Sequence, residues 1–144
     1  MNKTGPGLIF LSLFLLAFKA DKPAYILYNS EGKQTSYKKL IKAVSEADIV
    51  FYGELHNDPV SHWLELEISM DLHGIRRENL ILGAEMFERD DQLLLNEYLD
   101  KLYESAKFEP EAKLWNNYKT DYKPLLEFAK EKNLRFIATN IPRR

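Results

Sequence analysis

Three short apolar runs limit what this chain can fold into: residues 48–53 (DIVFYG), 80–84 (LILGA) and 134–139 (LRFIAT). Each is short for a helix and nearly continuous in apolar character, so each reads as a strand buried on both faces of a parallel sheet. The stretches between them carry helical spacing. Ser36 can cap a helix whose buried face is Leu40, Ile41 and Val44. Asp58-Pro59 opens a second helix, with Trp63, Leu66 and Met70 as its predicted apolar face and Gly74 as its stop. A third helix groups Leu94, Tyr98, Leu99 and Leu102, and a fourth, over 122–132, groups Leu125, Leu126 and Ala129. A further short strand over 25–28 leads into a turn rich in Asn, Ser and Gly. The segment 108–122 lacks periodicity but holds Trp115, Tyr118 and Tyr122, so it reads as a helical or irregular cover over the core. Strands alternating with helices through short connections predict a layered α/β/α fold with a mostly parallel sheet.

With 144 residues, 45% of them hydrophobic and 29% charged, the chain has the composition of one ordinary globular domain. Its 20 basic and 22 acidic residues form no basic track for a phosphate backbone, which argues against nucleic acid as a partner. The apolar run over 8–18, preceded by Lys3, suits the core of an export signal and falls short of the ~20 residues of a membrane span. Residues 1–20 are therefore expected to be a signal peptide, which places the protein in the cell envelope or periplasm. Cleavage after Ala17 or Ala20 lacks the small-x-small pattern, so an uncleaved signal is the one route to membrane association. Its removal takes Lys3 and Lys19 and leaves 18 basic against 22 acidic residues. The absence of cysteine removes disulfides, thiolate ligands and a lipidated N-terminal Cys together. The chain ends just past the third run with no helix to cover it. Residues 21–144 are accordingly expected to be the N-terminal part of a larger, truncated domain.

Ligands of open α/β sheets gather outside the carboxyl ends of the strands. The first predicted strand delivers Glu54 and His56 there, the second Glu85 and the third Asn140. His62, about one turn into its helix, can lean toward the same mouth. Imidazole and carboxylate together suit a borderline ion such as Zn or Mn. The six-residue step from His56 to His62 is not the i, i+4 spacing of a helical His pair, so only tertiary structure can join them. Plainer readings stand beside these. Asp58 is read as a helix cap, Glu54 as either solvent-facing or paired, and His62 as either a ligand or a residue packed beside Trp63. His73 beside Gly74 is assigned to the negative end of a helix dipole.

Four motifs carry a family resemblance: "GELHNDPVSH", "GAEMFERDDQ", "WNNYKTDYKPLLEFAKEKNL" and "ATNIPRR". Together they resemble the ChaN family of haem-binding uptake proteins, within the wider Tiki, TraB and erythromycin-esterase-like group, over residues 25–144. The group's Gly-x-x-His motif corresponds to Gly53 and His56. The resemblance implies an envelope protein of bacterial iron uptake that takes haem or an iron complex as ligand, with a homodimer as a further partner. It puts forward His56, His62, Tyr118 and Tyr122 as cofactor-binding residues, while the axial haem tyrosine that the resemblance implies is assigned to neither Tyr118 nor Tyr122 nor any other residue. Relatives that are hydrolases imply a second reading, in which His56, His62 and Glu85 hold a divalent ion and Glu54, His56 and Glu85 are catalytic. Glu54 would then act as general base on a bound water whose pKa the metal lowers to about 7. A third reading is a peptide- or partner-binding module using the aromatic cover.

Overall fold

The structure, a computed structural model, describes residues 22–143. The expected signal peptide lies outside the described residues. The chain first forms a small antiparallel hairpin, β1 (Leu27–Tyr28) against β2 (Gln34–Thr35). Its turn is held by the Asn29 side chain, which accepts from the backbone of Glu31 and Lys33 at 3.1 and 2.9 Å. Gly32 sits at φ 71°, a left-handed conformation that glycine adopts without steric cost. The strand β2 was not foreseen, because Gln34 and Thr35 carry no apolar alternation.

Helix α1 (Tyr37–Ser45) starts at Ser36, whose side chain accepts from Lys39 N at 3.4 Å. Helix α2 (Pro59–Arg76) starts at Asp58, which accepts from Val60 N at 3.0 Å with Pro59 in the first turn. Leu64, Ile68 and Leu72 of α2 bury against Leu40, Ile41 and Val44 of α1 and against Leu27 of the hairpin. Two expectations about α2 are corrected. Trp63 and Met70 are exposed, at 46% and 44%, because α1 packs on the Leu64, Ile68 and Leu72 stripe instead. Gly74 does not end the helix, which runs on to Arg76 and turns away at Arg77 with φ 54°.

The main sheet is a parallel pair, β3 (Ile81–Glu88) and β4 (Arg135–Asn140). Leu82 lies opposite Phe136 and Ala84 opposite Ala138, and the register slips between Ala84 and Glu88. One face of the pair is packed and the other open: Met86, Phe136 and Ala138 are buried while Ile81, Glu85, Arg135 and Thr139 are exposed. The packed face carries helices α3 (Gln92–Leu99) and α5 (Lys123–Lys132), with Leu95, Tyr98, Leu125, Leu126 and Ala129 forming a continuous core. Each fully buried leucine there contributes roughly 1.5–3 kcal/mol. Leu102, expected on this face, lies beyond the end of α3 and is 70% exposed. Gln92 ties α3 to the sheet, donating to Phe136 O at 2.9 Å and accepting from Ala138 N at 2.8 Å. Helix α5 ends at Asn133 in the left-handed conformation, φ 54°, and Leu134 N then returns to Ala129 O at 2.9 Å.

The expected strand over 48–53 is a further correction. It forms no ladder among the described residues, and Ile49, Val50 and Phe51 are exposed at 72%, 41% and 93%. A strand needs a partner for its backbone groups, and β3 pairs with β4 instead. The segment nevertheless alternates, turning Tyr52 and Glu54 inward and Phe51, Gly53 and Leu55 outward. The aromatic cover is as anticipated: α4 (Ser105–Glu111) buries Phe108, and a π-helix (Tyr118–Tyr122) buries Tyr118 and Tyr122.

Candidate functional site

Glu54 is the hub of a polar cluster where the 48–58 segment meets the start of α2 and the π-helix. Tyr122 donates its hydroxyl to Glu54 Oε1 at 2.6 Å, and His56 Nδ1 lies 3.2 Å from the same oxygen. His62 Nδ1 approaches the other oxygen, Oε2, to 2.7 Å. That last contact is not aligned as a hydrogen bond, and both atoms are buried without a hydrogen-bond partner. The second nitrogen of His62, Nε2, is 3.1 Å from His56 O. A carbonyl only accepts, so Nε2 carries a proton.

The π-helix supplies the remaining wall. Its wide turn follows Asn117, which donates to both His56 O at 2.6 Å and Asp121 Oδ2 at 2.8 Å. Asp121 Oδ2 stands 3.8 Å from His62 Nε2. The rings of His56 and Trp115 meet edge to face at 4.8 Å, and those of His62 and Tyr122 at 4.5 Å. Burial, reinforced by the Glu54 carboxylate, pushes the Tyr122 hydroxyl far above its ordinary range and keeps it a donor. Glu65, one turn after His62 on α2, is raised to about 7 by burial and by the facing Glu54, with His62 acting in the opposite direction. Glu54, His62 and Glu65 offer ligand atoms that all lie within 4.8 Å of one another.

The sequence candidates divide accordingly. Glu54, His56, His62 and Tyr122 come together. Tyr118 is buried at 2% exposure with its hydroxyl unpartnered, inside the main core beside Phe87. Glu85 is exposed on β3 and belongs to no cluster of potential ligands among the described residues. The enclosed carboxylate of β3 is Glu88, bound by Arg143 Nε at 2.6 Å and Lys113 Nζ at 3.2 Å. Sequence reading missed Glu65, although its three-residue step from His62 places both on one helical face. Asn117 and Asp121 carry no comparable pattern, because a π-turn has none.

The fold is that of an α/β protein, and it brings histidine, carboxylate and aromatic side chains together in one cluster. The chain belongs to the family described as haem-binding uptake, Tiki superfamily, ChaN, which matches residues 40–144. Among solved structures it is similar to one described as cofacial heme binding to ChaN of Campylobacter jejuni, with a TM-score of 0.66 at 20% identity. The match covers 83% of this chain and 49% of that one, so the chain spans about half the length of that relative. No curated protein matches.

Proposed function

We propose that the protein binds haem through His56, as an exported component of bacterial iron uptake. One observation carries the choice of residue. Of the four cofactor candidates, His62, Tyr118 and Tyr122 are enclosed, whereas the His56 side chain is 57% exposed. Its Nδ1 faces the Glu54 carboxylate, which leaves Nε2 free of protein partners among the described residues. An imidazole whose inner nitrogen is held by a carboxylate while its outer nitrogen faces solvent is arranged as an axial iron ligand. Trp115 at its edge and the exposed Leu55 beside it in the chain offer apolar surface to a porphyrin. The family membership supports haem as the bound group. A homodimer is part of this proposal, since haem held by one exposed imidazole keeps its other face open to a second chain.

Titration with haem should give a shifted Soret band, and His56→Ala should abolish the shift. A band that is unchanged by the protein, or one that survives His56→Ala, refutes this assignment. Size-exclusion chromatography with and without haem tests the dimer. The metallohydrolase reading is not favoured: Glu85, one of its three metal ligands, lies outside the cluster that His62 and Glu54 share with Glu65.

A further inference from the structure

We propose that Glu54, His62 and Glu65 form a site for one divalent first-row transition cation, of the class of Zn2+ or Mn2+, set behind the exposed His56. The proposal stands independently of haem binding. Its starting point is the His62 ring. The side chain is 2% exposed, and with its Nε2–H committed to His56 O the ring in its neutral form directs an Nδ1 lone pair inward. That lone pair meets a carboxylate oxygen of Glu54 at 2.7 Å, with no hydrogen bond aligned between them. Two acceptors this close repel each other unless a positive charge lies beside both. Glu65 brings a third oxygen to the same space and has no hydrogen-bond or ion-pair partner of its own among the described residues.

The supporting shell has the form that metal sites take. The ligating imidazole donates its other N–H to a backbone carbonyl, and the Tyr122 hydroxyl at 2.6 Å holds the non-facing oxygen of Glu54. Ligands bonded at about 2 Å to one Zn2+ must lie within about 4 Å of one another, so donors already within 4.8 Å need only small side-chain movements. One imidazole and two carboxylates suit Zn2+ or Mn2+ better than Ca2+, which takes oxygen ligands in larger number. His56 and Glu85, the other ligands considered from the sequence, are not part of this set.

The competing arrangement is an imidazolium ion pair, in which a second proton on His62 takes the place of the cation. Calorimetric titration of the chelator-treated protein with Zn2+ separates the two. The expected result is one Zn2+ per chain, with affinity falling at least tenfold in Glu65→Gln. Absence of stoichiometric binding, or equal affinity in the variant, overturns the proposal. A folding defect in Glu65→Gln does not remove the test, because Mn2+ added to the unaltered protein should broaden the ring resonances of His62 before those of His73. Broadening confined to His73 or His56 overturns it as well. Haem titration of the same sample is read separately, so a protein that binds haem but neither metal ion refutes this site and leaves the haem assignment standing.

Discussion

Tyr122 and Glu54 are joined by a 2.6 Å hydrogen bond between a buried phenol and a largely enclosed carboxylate, one of the contacts that pin the π-helix to the 48–58 segment. Tyr122→Phe removes the donor and keeps the ring. Hydrogen bonds to charged groups contribute about 1.5–3 kcal/mol, so the variant should lose stability in that range while its secondary structure persists. Urea unfolding followed by circular dichroism checks this, and an unchanged midpoint contradicts it.

Glu88 predicts an acid limb of the stability curve. Hydrogen bonds from Arg143, with a further contribution from Lys113, hold its carboxyl down to about 2 from 4.5. A depressed acid stabilises the fold above the unfolded value and loses that contribution as pH falls toward the folded one. Urea midpoints should therefore decline between pH 4.5 and pH 2, and Glu88→Gln should flatten the decline. An equally steep decline in Glu88→Gln assigns the effect to other groups.

Asn133 holds the left-handed position that ends α5 and also accepts from Lys101 Nζ at 3.2 Å. Asn133→Ala keeps the Cβ and loses the polar side chain that makes this conformation tolerable for Asn, whereas Asn133→Gly removes the Cβ, so the Ala variant should be the less stable of the two by about 1–2 kcal/mol. Thermal melts of the two variants give the ranking, and Ala above Gly would be the wrong order.

Gln92 serves two backbone groups of β4 at once. Gln92→Leu leaves Phe136 O and Ala138 N without this partner, at about 1–3 kcal/mol for each group that stays buried. Amide hydrogen exchange at Ala138 should accelerate in the variant. Unchanged protection there would show that the side chain is dispensable to the strand.

Helix starts were legible because they are local: Ser36 and Asp58 cap the helices that their positions announced. The runs at 80–84 and 134–139 became β3 and β4, since each finds the other as a neighbour. The run at 48–53 shows the limit. Its composition matches theirs, but strand identity is conferred by a partner, and composition does not name one. Within the site, Glu54, His56 and His62 stood out as polar groups beside an apolar run. Their division of labour did not, because Asn117 and Asp121 reach them from a π-turn, a backbone form without a residue pattern.

The hydrogen bonds from Tyr122 to Glu54 and from Asn117 to His56 span 68 and 61 positions of chain. They act as a clasp on a long loop, and closing such a loop costs entropy that the bonds themselves must offset. A ligand bound beside Glu54, as proposed above, would tighten that clasp. On that proposal, ligand affinity here and the cohesion of the chain between the two ends of the clasp would be two readings of one equilibrium, and saturation should then be visible as far away as β4.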